Sequence, residues 1–136
     1  MARTGMALVG CLIWLAPDSG HADAVTHPVA QLWLQTSPVA GMRYYDGRQV
    51  WPQMREGDGL LLLREPGNSW DRLAIAVLWH NHKLGYVPRR ENMALARLMD
   101  HGTLLSARIV RLVQAGKRQK KLLFDVYEAL APGATP

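Results

Sequence analysis

The run Ala74–Trp79 (AIAVLW) constrains the fold of this chain more than any other stretch. In an extended backbone Ile75, Val77 and Trp79 fall on one side and Ala74, Ala76 and Leu78 on the other, so both faces are apolar and the strand belongs in an interior. His80-Asn81-His82 then turns the chain, Lys83–Val87 returns as a hairpin partner, and Pro88 ends that strand. Two strands alone are not stable in water, so the remaining chain has to cover this hairpin.

The flanking sequence supplies short elements of the same kind. Gln31–Thr36 and Val39–Tyr45 read as extended segments split by Ser37-Pro38, with a turn at Asp46-Gly47. Val50–Arg55 reads as one helical turn with Pro52 near its start. After a turn at Glu56-Gly57-Asp58-Gly59, the run Leu60–Leu63 reads as a short buried strand. Glu65–Ser69 is a loop. Glu91–Asp100 is the one clear helix: Asn92 suits the N-cap, Leu95, Leu98 and Met99 share a face, and Gly102 can close the C-terminus. Thr103–Val113 and Lys121–Glu128 form a last hairpin around the basic turn Lys117-Arg118-Gln119-Lys120. Five or six short strands with one helix predict a mainly β domain, a small barrel or sandwich.

The N-terminus has a different character. Arg3 precedes the apolar run Gly5–Ala16, Pro17 breaks it, and Ala22-Asp23-Ala24 offers small residues for cleavage, the layout of a secretory signal peptide. The run is too short to span a bilayer, which takes about 20 apolar residues. The expected organisation is a signal peptide over 1–24 cleaved after Ala24, a linker over 25–30, a folded domain over 31–128 and a flexible tail over 129–136, exported to the periplasm or secreted. Two other readings of the same run are a lipoprotein anchored at Cys11, from Leu8-Val9-Gly10-Cys11, and a cytoplasmic protein with a mis-assigned start. Cys11 is the only cysteine, so the domain has neither a disulfide framework nor a cysteine zinc site.

No group of residues assembles into a catalytic site. His80 and His82 lack a third metal ligand at a recognisable spacing. Gly57-Asp58-Gly59 lacks the Lys and the strand–loop–helix setting of a phosphate loop. Ser69 and Ser106 have no base nearby in sequence, and Glu65 with Asp71 is a carboxylate pair of the kind that is more often structural. A binding role without enzymatic activity, cofactor or metal is expected, and hydrolysis through Asp71, Glu65 and the histidines ranks last. The net charge of +5 and pI near 9.8 favour polyanions: nucleic acid, anionic lipid or an acidic protein.

Two stretches place rings beside charge. Arg43-Tyr44-Tyr45 lies at a strand end and Asn68-Ser69-Trp70-Asp71 in a loop entering a strand. A ring to stack on a base, a cation for phosphate and a carboxylate for a sugar hydroxyl suit the end of a single strand. The same rings would also serve as core or barrel-rim residues.

The run Val39-Ala40-Gly41-Met42-Arg43-Tyr44-Tyr45 resembles the opening of a HIRAN domain. The resemblance continues through Glu56-Gly57-Asp58, Leu63–Asn68, Trp70–Val77, Lys83–Arg89 and Asn92–Ala96, in order, and covers roughly residues 31–128. It implies an OB-like β-barrel of about six strands with one main helix near 91–100. In helicase-linked members the domain captures the 3′ end of single-stranded DNA. Carried over by position, Tyr44 and Trp70 would stack on the terminal bases and Asp71 would accept the 3′ hydroxyl. Arg43 and Arg89 would hold phosphates, and Tyr86 falls where another backbone contact is expected. Trp70 stands where the family often has Tyr, and Tyr86 replaces a more polar contact. The helicase motor and zinc modules of well-studied relatives have no counterpart in this sequence, so ATP hydrolysis and zinc are not inherited. One geometrical demand follows: in a regular strand Arg43 and Tyr44 point to opposite faces, so both reach one ligand only if the strand ends or bulges there.

The partners expected are thus a 3′ end of single-stranded DNA or, for an exported module, an envelope protein, a glycan or an anionic surface met by Lys117–Lys121. A monomer without an integral membrane span is expected in either case.

Overall fold

The computed structural model describes residues 30–130. The expected signal peptide with its cleavage site, the alternative lipid anchor at Cys11, residues 25–29 of the linker and 131–136 of the tail lie outside the described residues. Among the described residues six strands form one antiparallel sheet: β1 (Gln31–Pro38), β2 (Gly59–Arg64), β3 (Ile75–Trp79), β4 (His82–Tyr86), β5 (Leu105–Ala115) and β6 (Gln119–Ala129), hydrogen-bonded in the order β1-β6-β5-β2-β3-β4. Two α-helical segments accompany them, a single turn α1 (Gly47–Val50) and α2 (Met93–Asp100). This is the mainly β, OB-like architecture expected. The barrel is not closed by paired edge strands: β1 and β4 are joined only through a bridge between Ala40 and Tyr86, just beyond the end of β1.

The apolar hairpin is its centre. Ile75 and Val77 are fully buried and Trp79 nearly so. His80 and Asn81 both have positive φ, 42° and 66°, the two-residue turn whose twist matches that of the strands it joins. The turn is thus shorter than His80-Asn81-His82, because His82 already pairs with Trp79. Phe124, Leu122 and Val126 of β6, Ile109 of β5, Leu84 of β4 and Leu95 of α2 close the core. Each such side chain contributes about 1.5–3 kcal/mol through its removal from water.

Several expectations change. Leu60–Leu63 is not buried on both faces: Leu60 and Leu62 enter the core while Leu61 and Leu63 are about half exposed. β1 continues through Ser37 and Pro38, which an edge strand tolerates because Pro38 needs no amide donor there. Val39–Tyr45 is not a strand; after the Ala40 bridge it coils into a 3-10 turn over Met42–Tyr44. The helical turn expected over Val50–Arg55 begins earlier, as α1, and runs on as a 3-10 turn over Trp51–Gln53. The basic hairpin loop is tighter than expected, since Gln119 pairs with Ala115 and leaves Gly116-Lys117-Arg118 as the loop.

Helix α2 starts after a 3-10 turn over Arg89–Glu91. At its C-terminus the Gly102 amide donates to Met99 and the Thr103 amide to Leu98, with Gly102 at φ 87°, so glycine closes it as expected. Asn92 occupies the N-cap position, yet its side chain makes no cap bond. That side chain is used elsewhere.

Candidate functional site

The site exists because two chain segments cross without a side chain between them. Gly85, at φ 151°, is the crossing point: a Cβ there would stand 2.2 Å from the Ala40 carbonyl oxygen and 2.8 Å from Val39. With no Cβ in the way, Ala40 and Tyr86 exchange backbone hydrogen bonds of 2.8 and 3.0 Å, and the segment 40–45 lies against β4. Met42 points inward and is buried, which leaves Arg43 and Tyr44 outside. In a 3-10 turn successive side chains are separated by about 120° rather than set on opposite faces. The Arg43 guanidinium donates to the Tyr44 hydroxyl, and its carbon sits 4.6 Å from the Tyr44 ring centroid. The 3-10 turn, and not a strand bulge, sets Arg43 and Tyr44 side by side.

The opposite wall is the loop between β2 and β3. Its first turn is closed by the Asn68 amide donating to the Glu65 carbonyl, with Pro66 pre-set for the bend. The Asn68 side-chain oxygen then accepts the amides of Trp70 (2.9 Å) and Asp71 (3.2 Å), which fixes the loop backbone. Arg64 braces the far side, forming two hydrogen bonds to Asp100 of α2 and donating to the carbonyls of Ala74 and Arg72. The result is an indole held out by its backbone: Trp70 is 86% exposed and Tyr44 is 70% exposed. Among the described residues these are the two most exposed aromatic side chains.

Asp71 is less exposed and tightly oriented. Oδ1 accepts the Leu73 amide at 2.9 Å, and Oδ2 accepts the buried Asn92 side-chain amide at 2.8 Å. The Arg89 Nε lies 3.8 Å from Oδ2, while another Arg89 nitrogen donates to the Trp70 carbonyl. Each carboxylate oxygen can accept about two hydrogen bonds, so both keep capacity for a ligand.

Beneath the two walls lies a second carboxylate cluster. Lys83 donates to Glu65 (2.8 Å) and to the Tyr86 hydroxyl (2.5 Å), Tyr86 donates to Glu65 (2.8 Å), and Asn68 donates to Glu65 (3.0 Å) and lies 3.3 Å from the Tyr86 hydroxyl. The Lys83 ammonium also sits over the rings of Tyr86 and Tyr45, and these two rings meet edge to face at 5.7 Å. Burial pushes the Glu65 carboxyl up, but hydrogen bonds from Lys83, Tyr86 and Asn68 outweigh it and hold the group below its ordinary value. Burial pulls Lys83 down, but Glu65 and Tyr86 outweigh it and hold the ammonium above its ordinary value. The Tyr86 hydroxyl has its donor and both acceptor positions used, so only its ring is left to a ligand.

Between the walls is a cleft of about 280 Å³. Five of the six residues expected at the site line it: Tyr44, Trp70, Asp71, Tyr86 and Arg89, joined by Tyr45 and Asn68. Arg43 does not. It lines a neighbouring groove of about 660 Å³, which shares Gly41 and Tyr44 with the cleft. Sequence reasoning missed what holds the site. Asn68 carried a usable signal, since a Pro-Gly-Asn turn before an exposed ring is apt to fix the next amides. Asn92, read as a helix cap, carried none, because its bond to Asp71 crosses 21 positions. Both histidines pack on Trp79, His80 edge on and His82 stacked at 6.4 Å, and His82 also faces Asp46 at 3.3 Å. Among the described residues no three His, Cys, Asp or Glu side chains gather as a metal site.

Known proteins share this fold. The family model for the HIRAN domain matches residues 34–130. A crystal structure of a protein from Lactobacillus plantarum, a structural genomics target, is 37% identical over 73% of this chain and 97% of its own, with a TM-score of 0.62. The crystal structure of the HIRAN domain of human HLTF is 20% identical over 75% of this chain and 81% of its own, with a TM-score of 0.57, a likeness of fold. A search of curated proteins finds no significant match.

Proposed function

The chain belongs to the HIRAN domain family, a family of generally nucleic-acid-binding modules, and from that premise we propose that its cleft binds the 3′ end of single-stranded DNA. The observation that carries the proposal is the pair of outward rings, Tyr44 and Trp70, flanking an oriented Asp71 carboxylate in one cleft. The two rings take the terminal bases, each stack contributing about 1–3 kcal/mol. Asp71 accepts the 3′ hydroxyl, with Asn92 and the Leu73 amide holding its oxygens in place. Arg89 and Arg43 take phosphates on either side of Tyr44. Tyr86 serves as a wall through its ring. A 3′ phosphate would set its negative charge against Asp71 and be disfavoured. Two stacks and a few phosphate contacts give modest, salt-sensitive affinity. The domain works as a binding module and not as an enzyme.

Fluorescence anisotropy of the full chain with oligonucleotides ending in a 3′ hydroxyl or a 3′ phosphate tests this. Preference for the hydroxyl is expected; equal binding, or none, contradicts it.

A second reading rests on the N-terminal run Gly5–Ala16 with Ala22-Asp23-Ala24: the domain is exported and meets a protein, a glycan or an anionic surface. Fractionation of a C-terminally tagged full-length chain separates the two settings. Retention of an uncleaved chain in the cytoplasm removes the ground for this reading.

A further inference from the structure

The groove beside the cleft has a charge pattern that end capture alone does not require. Arg43 and Arg48 line it from the segment 42–48, and Arg118, Lys120 and Lys121 line it from the β5–β6 hairpin together with Val113 and Ala115. No carboxylate lines the groove, and among the described residues none of these five cations has an ion-pair partner. Lys120 is held in place rather than waving in solvent, its ammonium 5.6 Å from the centroid of the nearly buried Trp51 ring. Like charges gathered around one concave surface concentrate their field there and draw in a polyanion. Because Gly41 and Tyr44 belong to both hollows, whatever leaves the cleft past Tyr44 passes into this groove.

We propose that the groove carries the phosphates on the 5′ side of the nucleotides held in the cleft: a single strand enters along the β5–β6 hairpin, crosses Tyr44 and ends at Asp71. This trajectory rests on the end-binding reading and adds a length of strand and a direction to it. The bases need no partner in the groove, since its lining is cationic and apolar apart from the shared Tyr44 and the single amide of Gln119. It therefore adds affinity and salt dependence, with no sequence preference.

The test compares oligothymidylates with free 3′ hydroxyls, two and about eight nucleotides long, a length within the range that one OB-type module covers. Binding to the full chain is measured at several salt concentrations. The wild type is expected to bind the longer strand at least tenfold more tightly. The double variant Arg118→Ala/Lys120→Ala should lose most of that advantage and bind the two-nucleotide strand within twofold of wild type. Its salt slope on the longer strand should fall by about 1.4, at about 0.7 for each phosphate no longer neutralised. Arg97→Ala/Arg108→Ala removes the same charge from outside both hollows and should retain the advantage. Equal weakening of both strands, an equal effect from the control variant, or no length dependence in the wild type overturns the trajectory while the end preference stands. Loss of the 3′-hydroxyl preference in the wild type instead overturns the end-binding reading, and the trajectory with it.

Discussion

Glu65 and Asp71 stand at the two ends of one loop, share Asn68 as a neighbour, and are used in opposite ways. Glu65 is close to saturated: Lys83, Tyr86 and Asn68 take three of its roughly four acceptor positions. Asp71 is oriented but not saturated, with one donor on each oxygen and a half-free Arg89 beside it. Chemically identical groups become a brace and a candidate ligand contact according to how many donors the fold supplies. Asn68 links them, since its amide nitrogen serves Glu65 and its oxygen holds the backbone that presents Trp70 and Asp71.

That contrast can be broken by mutation. Trp70→Ala is expected to weaken oligonucleotide binding by about 1–3 kcal/mol, measured by anisotropy. Its effect on the melting temperature should be slight, because the indole is almost wholly exposed. Glu65→Ala should do the reverse. It leaves a partly buried ammonium and hydroxyl without their acceptor, at about 1–3 kcal/mol of stability. For a domain near 100 residues each kcal/mol lowers the melting temperature by about 4–8 °C. The discrimination between 3′ hydroxyl and 3′ phosphate should survive in whatever fraction stays folded.

Asp71→Ala is expected to erase that discrimination, a change of about tenfold or 1.4 kcal/mol, with a smaller loss of total affinity because both stacks remain. Asn92→Ala sharpens the comparison. It removes the donor on Oδ2 without touching the ligand face, so discrimination should fall part of the way in the same titration.

The smallest effects are those of pH. The Glu65 carboxyl is held below its ordinary value of 4.5, so its contribution is complete above that value and is lost as pH falls through the lower folded one. The Lys83 ammonium is held above its ordinary value of 10.5, so its contribution is complete below that value and is lost as pH rises through the higher folded one. Denaturant midpoints should therefore stay level between these limits as far as this pair is concerned, and fall at both ends. Glu65→Gln should flatten both falls.

The sheet was more legible in the sequence than the site's supports were. Ala74–Trp79, Lys83–Val87 and the basic hairpin announce themselves by local pattern, which is where hydrophobic periodicity is strong. Four consecutive leucines carry no alternation, so the exposed side of β2 could not be read. Val39–Tyr45 has the composition of a strand; what coils it is the crossing at Gly85, an encounter between segments far apart in the chain. For the same reason Tyr44, Trp70, Asp71 and Arg89 could be named from motifs, whereas Asn92 on Asp71, Lys83 on Glu65 and Arg64 on Asp100 could not. Side chains that present a ligand site sit in recognisable runs, while those that hold it in place come from wherever the fold brings them.

The claim that the cleft between Tyr44 and Trp70 holds a 3′ end is tested most directly by titrating the isotopically labelled full chain with a 3′-hydroxyl oligothymidylate while following its backbone and side-chain amide resonances. The expected result is that the largest shifts fall at Gly41, Tyr44, Trp70, Asp71 and the buried Asn92 side-chain amide, with the last reduced when the oligonucleotide ends in a 3′ phosphate. Shifts confined to the β5–β6 hairpin, with Trp70, Asp71 and Asn92 unmoved, would contradict it.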